Sequence, residues 1–392
     1  MPHFLPTKNR RAALLAAALL AALGSTGTAH SAPYKVSGVV LDGLANPRSI
    51  AVGPDGALWV VEAGSGGTGP SIVNDGGETV LFGNTGQVTR VLGGTAAVVA
   101  SDLPSLAQEG GFAATGANDL AFAPDGTPYV LFGFGADPSL RSVFSGESQG
   151  NLFGQLVALE GGGLTAKVDL AAFELTNPDG GGVNSNPYGI AAQGDGFVVT
   201  DAGGNTILDV ASDGSVSVRA VLPSSANPLP FGPPAYESVP TGIAAGPSGS
   251  VIVGELTGFP FPPGEANIYA AAADGSLSVV VSGLTNIIDL ALGEDGTIFA
   301  LELDSDSLIG PEAVGSLYAI DDLGVKTLIL SGLVNPTSVA VTADGRILIA
   351  ENGLSPADGR ILELSSVPVP AALPLMAAGL ASVMALGRRR RR

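Results

Sequence analysis

The stretch that decides the fold is residues 335–353, NPTSVAVTADGRILIAENG. An apolar run covers residues 339–341, Ala-Asp-Gly follows, and a second apolar run covers residues 347–349. Asp-Gly between two β-rich runs predicts a hairpin, because glycine adopts positive φ without steric cost. The stretch is therefore interpreted as strand, tight turn, strand.

The same pattern occurs six times along the chain. The six copies are residues 46–63, 116–132, 186–201, 239–255, 286–302 and 335–351. A second pair of strands is predicted between consecutive hairpins, as in 267–284 (NIYAAAADGSLSVVVSGL) and 316–333 (SLYAIDDLGVKTLILSGL). Six units of four strands predict an all-β protein, a six-bladed β-propeller with four-stranded blades. A solenoid of six stacked units is the alternative.

The two ends of the repeat array predict how the ring closes. The sixth repeat supplies only three strands, its hairpin and residues 360–364. Residues 34–44, YKVSGVVLDGL, end like the fourth strands SVVVSGL and TLILSGL. We therefore expect this N-terminal strand to complete the last blade and protect its edge, within a propeller domain of residues 33–364.

Composition excludes several functions. The 392 residues include no cysteine, which rules out disulfides, thiolate zinc sites and cysteine nucleophiles. The two histidines, His3 and His30, lie in a segment that we expect to be removed, so a mature chain has no Ser-His-Asp triad. The net charge is −19, and residues 33–364 alone carry nine Lys and Arg against 36 Asp and Glu, a net charge of −27. Such a field repels nucleic acid, which we exclude as a partner, and attracts cations.

Residues 1–32 are predicted to be a secretory signal peptide. Lys8, Arg10 and Arg11 precede an apolar run at residues 12–23, which is too short to span a bilayer comfortably, and small residues follow it. A twin-arginine signal and a buried N-terminal helix are the alternatives. The interpretation implies export, with signal peptidase as a partner.

The C-terminal residues 365–392 contain three parts in a fixed order. VPVPA leads into an apolar segment at 371–387, predicted to be a short transmembrane helix, and five arginines follow. The arginines would hold this end in the cytoplasm. The arrangement resembles the PEP-CTERM sorting signals of the VPxPA type. That resemblance implies an exosortase-type sorting enzyme as a partner, transient or permanent anchoring in the inner membrane, and delivery to the envelope, outer surface or extracellular matrix. A permanent tail anchor is the alternative.

One column of the repeats is predicted to face the central channel. Its members, one per blade, are Ser49, Asp119, Gly189, Gly242, Asp289 and Ser338. Blades 2 and 5 lie opposite each other in a six-bladed ring, so Asp119 and Asp289 should face each other. Together with Asn118 and Arg48, they are the candidate binding residues of the channel. The alternative is that the column is small because inner strands crowd near the axis.

A second column lies at the end of the second strand of each blade and is acidic in five blades. Its members are Glu62, Phe132, Asp201, Glu255, Glu302 and Glu351. Carboxylate oxygens suit Ca²⁺ or another divalent cation. The candidate metal ligands are therefore Asp119, Asp289, Glu62, Glu255, Glu302 and Glu351. The alternative is that these acids close turns by accepting hydrogen bonds from backbone N–H groups of the next blade.

The repeats resemble those of NHL and gluconolactonase-like propellers, and the loops resemble those of the ScyD/ScyE family. The loop resemblance rests on GGTGP at 66–70, TGANDLAF at 115–122, GNLFGQLVAL at 150–159 and NPYGIAA at 186–192. It implies an exported six-bladed propeller and little about its chemistry. Gluconolactonase-like enzymes bind a divalent cation through Glu, Asn and Asp. Asn118-Asp119 resembles their Asn-Asp step, but their N-terminal acidic ligand has no clear match. Virginiamycin-lyase-like propellers rely on a histidine, which the mature chain lacks.

Two functional hypotheses follow. The first is a non-catalytic exported propeller that binds a small molecule, a glycan or a protein partner. The second is a divalent-metal-dependent lactonase or hydrolase that acts in the channel, where Asn118, Asp119 and Asp289 would hold the metal.

Overall fold

The computed structural model of the protein describes residues 34–366. They form six antiparallel blades of four main strands each, so the all-β, six-bladed propeller is confirmed. From the channel outward, the strands are Pro47–Val52, Leu58–Glu62, Thr79–Leu92 and Thr95–Ala107 in blade 1; Ala117–Phe122, Pro128–Phe132, Gln155–Glu160 and Gly163–Asp169 in blade 2; Pro187–Gln193, Gly196–Asp201, Thr206–Val210 and Val216–Val221 in blade 3; Pro240–Ala245, Val251–Glu255, Ala266–Ala271 and Leu277–Leu284 in blade 4; Ile287–Leu292, Ile298–Glu302, Gly315–Ile320 and Lys326–Leu333 in blade 5; and Ser338–Val341, Ile347–Glu351, Gly359–Ser366 and Tyr34–Leu44 in blade 6.

Short strands and helices lie in the connections between the main strands. They are a strand at Ser71–Val73 paired with blade 1, a ribbon of Ser225–Ala226 and Ala235–Tyr236, an α-helix at Leu170–Glu174, and 3-10 helices at Pro138–Phe144, Gly150–Leu152 and Pro247–Gly249. No helix within residues 34–366 has the length and apolar character needed to cross a membrane. The predicted signal peptide and the predicted helix at 371–387 lie outside the described residues.

The ring closes through the N-terminal strand, as predicted. Tyr34–Leu44 pairs antiparallel with Gly359–Ser366, from Tyr34 opposite Ser366 to Leu44 opposite Gly359. The six inner strands contact one another in ring order, and those of blades 6 and 1 complete the circle. The solenoid alternative is therefore wrong.

The core of the described chain lies between the blades. Six apolar clusters fill the six interfaces between neighbouring blades. A seventh cluster joins the segments that follow the second strands of blades 1 and 2, through Phe82, Phe134, Phe144 and Phe153. The segment at 64–86, which includes the start of strand Thr79–Leu92, and the loop at 133–154 are therefore packed against each other.

In blades 1, 2, 5 and 6 the repeated turn is longer than the two-residue turn that Asp-Gly commonly forms. In blade 1, Gly56 N–H donates to Gly53 O at 2.9 Å and Gly53 N–H donates to Ala57 O at 2.8 Å. Gly56 has a φ of 76°, whereas Asp55 is not in the left-handed region. A two-residue type I′ turn would need positive φ at both positions. Asp55 instead accepts a hydrogen bond from Ala57 N–H at 3.1 Å. The aspartate side chain therefore stabilises the turn, and the glycine supplies the positive φ that the turn needs.

The connections divide the ring into two faces. The turns between first and second strands, and between third and fourth strands, lie on one face, which we call the hairpin face. The long connections lie on the other, the loop face; they include 63–78, 133–154, 170–186 and 222–239. Inner strands begin at the loop face, so the predicted channel residues near their starts lie toward it.

Candidate functional site in the central channel

The inner strands carry β-bulges close to the loop face. In blades 1, 2, 3 and 5 one inner-strand residue has no partner in the second strand, and these residues are Arg48, Asn118, Tyr188 and Ile288. A bulge re-aims a side chain. In this ring the bulges bring Arg48, Asn118 and Tyr188 to the wall of the channel cavity.

Asp119 holds blade 2 against both neighbouring blades. Its Oδ2 accepts a hydrogen bond from Ile190 N–H of blade 3 at 2.8 Å, and its Oδ1 accepts one from Leu120 N–H at 2.7 Å. Ser49 of blade 1 also donates its hydroxyl to Oδ1. Both carboxylate oxygens are therefore engaged in holding the inner strands.

Asp289 occupies the matching place in blade 5. Its Oδ2 accepts from Val339 N–H of blade 6 at 2.9 Å, and its Oδ1 accepts from Leu290 N–H at 2.8 Å. The next member of the column, Ser338, accepts from Ile50 N–H of blade 1 at 3.1 Å. Three members of the column, Asp119, Asp289 and Ser338, thus accept hydrogen bonds from main-chain N–H groups of the next blade.

The two aspartates share a narrow cavity, as the blade count predicts. The cavity measures about 10 Å³, roughly the space that one water molecule needs, and Arg48, Asn118 and Tyr188 also line it. Toward the hairpin face, both aspartates also line a second channel cavity of about 260 Å³. Burial raises the pKa of Asp119 to about 6. Burial and the nearby charge of Asp119 raise the pKa of Asp289 to about 7.

Three buried polar atoms of this cavity have no hydrogen-bond partner. They are Arg48 Nε, Asn118 Oδ1 and the Tyr188 hydroxyl. Arg48 crosses the channel mouth from blade 1 to blade 3 and lies 5.7 Å from the centre of the Tyr188 ring. Burial raises the pKa of Tyr188 to about 12, so the phenol stays protonated. Tyr188 belongs to the NPYGIAA motif, but the repeat pattern does not mark it as a site residue.

The predicted acidic column lies elsewhere on the loop face, one residue per blade. Four of its members accept a hydrogen bond from a backbone N–H of the segment that enters their own blade. The pairs of acceptor and donor are Glu62 and Ala45 at 2.9 Å, Asp201 and Asn186 at 2.6 Å, Glu302 and Thr285 at 2.8 Å, and Glu351 and Val334 at 3.0 Å. The alternative interpretation proposed such bonds but placed the donors in the next blade. Glu255 accepts instead from Asn267 N–H at 3.0 Å.

The structure brings together only part of the predicted metal set. Asp119 and Asp289 share one cavity, whereas Glu62, Glu255, Glu302 and Glu351 lie in four different blades. Among residues 34–366, no group of three acidic or histidine side chains is placed to hold a metal ion. The metal assignment of these six residues stays a prediction.

A much larger cavity, which the repeat pattern does not predict, lies between the outer strands of blades 1 and 2. It measures about 820 Å³ and includes Trp59, Val98, Gln149, Asn151 and Leu164 in its lining. None of its lining residues is Asp, Glu, Lys, Arg or His. We call it the interblade groove. The long loop at 133–154 supplies part of its wall, and that loop lies outside the repeated pattern.

No family model matches this sequence, and no curated protein matches it in sequence. Solved structures match it in fold. A protein of unknown function from Bacteroides thetaiotaomicron is 11% identical with a TM-score of 0.50, and the match covers 85% of this chain and 76% of that one. Virginiamycin B lyase from Staphylococcus aureus is 12% identical (TM-score 0.46; 85% and 99% covered), as is a gluconolactonase from Xanthomonas campestris (TM-score 0.45; 84% and 99%). At such identities the likeness concerns the fold alone.

Proposed function

We propose that this protein is an exported binding protein of the ScyD/ScyE type that holds a ligand without transforming it. The observation that carries the proposal is that the interblade groove is much larger than the channel cavities that hold acid–base groups. The two aspartates of the channel line a cavity of about 10 Å³ toward the loop face and one of about 260 Å³ toward the hairpin face, whereas the interblade groove of about 820 Å³ has no ionisable lining residue. Ligand pockets commonly measure roughly 300–1,000 Å³.

The groove offers the chemistry of a neutral ligand. Trp59 contributes its indole ring to the lining; the ring packs edge-on against Phe122 at 5.5 Å between centroids, and the guanidinium carbon of Arg90 lies 6.0 Å from the ring centre. The side-chain oxygen of Gln149 is buried without a hydrogen-bond partner, so it can accept a bond from a ligand hydroxyl. A flat apolar face combined with hydroxyl donors describes a sugar or a phenolic molecule.

Tryptophan fluorescence tests this proposal directly, because Trp59 is the sole tryptophan of the chain. Neutral oligosaccharides and phenolic compounds are titrated into the protein while the emission of Trp59 is followed. We expect saturable quenching or a spectral shift with at least one probe, and loss of that response in Gln149→Ala. The channel variant Asp119→Asn is the control and should respond as wild type does.

The alternative function, a metal-dependent hydrolase or lactonase, is favoured by one observation. Asn118 is buried, its side-chain oxygen has no partner, and it lines the same cavity as Asp119 and Asp289. These three side chains would hold a divalent cation, which would supply activation of a water molecule. Turnover of a lactone or ester panel that depends on added metal, and that disappears in Asp289→Asn, would overturn the binding-only proposal.

Export and sorting stay part of the proposal. The predicted signal peptide at 1–32 and the resemblance of residues 365–392 to PEP-CTERM signals support a membrane-anchored precursor that is then delivered to the envelope or the extracellular matrix. Cell fractionation of the full chain, compared with a chain that ends at Ser366, tests this localisation. We expect the full chain in the membrane or on the surface and the shortened chain in the periplasm or medium; identical distributions would contradict the role of the tail.

A further inference from the structure

Three connections meet on the loop face where blades 1, 2 and 3 adjoin. Asp75 N–H donates to Gly135 O at 3.1 Å, and Gly135 N–H donates to Ser185 O at 2.9 Å. Ser185 N–H in turn donates to Ala136 O at 3.2 Å. Main-chain bonds therefore fix the relative positions of segments that belong to different blades.

Negative charge accumulates around this junction without a cation to balance it. The acidic residues that influence one another there are Asp75, Asp137, Glu174, Asp179, Asp201 and Glu237. Within residues 34–366, none of these six forms a salt bridge with lysine or arginine. Burial, followed by the charges of Asp201 and Asp179, raises the pKa of Glu174 to about 8.

Unpartnered oxygen atoms in the same place provide an independent observation. Glu174 is 1% exposed and Thr206 is 0% exposed, and neither Glu174 Oε1 nor Thr206 Oγ1 has a hydrogen-bond partner. A Cβ atom built on Gly204 would lie 2.9 Å from Glu174 Oε2 and 3.4 Å from Thr206 Oγ1, so both side chains border one point. Asn184 Oδ1, also unpartnered, lies 2.6 Å from the corresponding point at Gly203.

Asp201 differs from these residues because its oxygens are engaged. Its Oδ1 accepts from Asn186, Gly203 and Gly204 N–H groups, and its Oδ2 accepts from the Ser185 hydroxyl at 2.8 Å. It therefore orients the turn that presents Gly203 and Gly204, and it contributes negative charge rather than a free ligand atom.

We propose that Glu174, Asn184 and Thr206 form a calcium-binding site at the loop face of blade 3. Burying acceptor oxygens without donors is unfavourable, and a hard cation satisfies them all at once. Ca²⁺ accepts 6–8 oxygen ligands in irregular geometry and tolerates carboxylate, amide, carbonyl and water oxygens together, whereas Mg²⁺ demands a near-ideal octahedron. The site has a single carboxylate ligand, so we expect the modest affinity of extracellular calcium modules, on the order of 0.1–1 mM.

Calorimetry and thermal unfolding of the whole protein test the site, with CaCl₂ compared against MgCl₂ and NaCl at equal ionic strength. We expect wild type to bind Ca²⁺ and to unfold at a higher temperature in its presence. Glu174→Gln should weaken Ca²⁺ binding by at least about tenfold, the loss that removing even an outer partner of a metal site brings. Without calcium at neutral pH, the same variant should unfold at nearly the wild-type temperature, because a glutamate whose pKa is raised to about 8 is already mostly neutral there.

Matched variants locate the site. Glu312→Gln makes the same chemical change at an exposed position of the loop face and should leave Ca²⁺ affinity unchanged, whereas Thr206→Val should weaken it. If calcium changes neither the heat signal nor the unfolding temperature of wild type, Glu174 is simply protonated and the proposal fails. It fails equally if Glu174→Gln binds calcium as wild type does, or if Asp289→Asn alone abolishes binding, since the cation then lies in the channel.

Discussion

Asp119 and Asp289 occupy the same position in opposite blades, and their surroundings differ. Each accepts hydrogen bonds from its own following residue and from the inner strand of the next blade. The preceding blade supplies the Ser49 hydroxyl to Asp119, whereas it supplies Gly242 beside Asp289. A Cβ atom on Gly242 would lie 2.5 Å from Asp289 Oδ1, so no side chain fits there.

This difference shows how a repeated scaffold acquires an asymmetric site. The bonds to main-chain N–H groups follow from the repeat and hold the ring. The neighbour from the preceding blade is not repeated, and the hydroxyl that lowers the pKa of Asp289 comes instead from Ser338 of the following blade. Burial raises the pKa of both aspartates, to about 6 for Asp119 and to about 7 for Asp289, and the charge of Asp119 is the further cause that raises the pKa of Asp289.

Among the substitutions, the largest effect is expected when either aspartate is removed. Asp119→Ala and Asp289→Ala each leave a buried inner-strand N–H of the next blade without an acceptor, which costs about 1–3 kcal/mol. Asp119→Ala should be the more destabilising because it also leaves the Ser49 hydroxyl without its acceptor. Urea unfolding at about pH 5, where both carboxyls are largely protonated, measures the difference. Asp125→Ala in an exposed turn is the control. Equal losses of unfolding free energy in all three variants would show that Asp119 and Asp289 do not hold the blades together.

The pH dependence of stability reports on the same two carboxyls. Both pKa values are raised above the ordinary value of 3.8, so the folded protein holds these protons more tightly than the unfolded chain. Their contribution is fully present below about pH 4 and is lost as the pH rises through 6 and 7. Unfolding free energy measured from pH 4 to 8 should therefore fall over this window, and the fall should be smaller in Asp289→Asn.

The electrostatic coupling between the two carboxyls is expected to appear in the titration of each residue. The charge of Asp119 is one of the causes that raise the pKa of Asp289. In Asp119→Asn the pKa of Asp289, followed by NMR of its carboxyl carbon, should fall by about 1. An unchanged titration of Asp289 would show that burial alone sets its pKa.

Replacing Ser49 tests what the hydroxyl from the preceding blade does for Asp119, since Asp289 has Gly242 in that position. Ser49→Ala removes the hydroxyl that lowers the pKa of Asp119, so that pKa should rise toward the value of Asp289. The loss in unfolding free energy should be about 1 kcal/mol, the usual worth of one hydrogen bond. Ser338→Ala, beside Asp289 in the following blade, is the control and should leave the titration of Asp119 unchanged.

The smallest effect is expected for Tyr188→Phe, which removes a hydroxyl from the wall of the cavity that both aspartates line. The Tyr188 hydroxyl has no hydrogen-bond partner, so its removal should change the unfolding free energy by less than about 0.5 kcal/mol. A loss above about 1 kcal/mol would reveal a hydrogen bond through a bound water, and the two carboxyls would then share that water with the phenol.

The sequence predicts the parts of the molecule that repeat. The six Asp-Gly or Ser-Gly turns determine the number of blades, and the blade count places Asp119 opposite Asp289. The pattern of residues 34–44 also predicts the strand that closes the ring. These predictions succeed because alternation and turn chemistry are local properties that recur at regular spacing.

The features outside the repeat could not be read in the same way. Tyr188 reaches the channel because a bulge re-aims it, and a bulge depends on the register between two strands rather than on one strand. The interblade groove depends on how the loop at 133–154 packs against blade 1. Glu174 is unremarkable in sequence, and only folding shows that it is buried without a partner.

The pairing of Tyr34 with Ser366 places the two ends of the described chain side by side on the hairpin face. Blade 6 therefore remains incomplete during synthesis until its third strand has been made. The same proximity makes the ring suitable for circular permutation, since a short linker from Ser366 to Tyr34 would turn the seam into an ordinary hairpin. New ends opened at the exposed turn Gly161-Gly162 would then move the seam to blade 2 and leave the channel and the loop face intact.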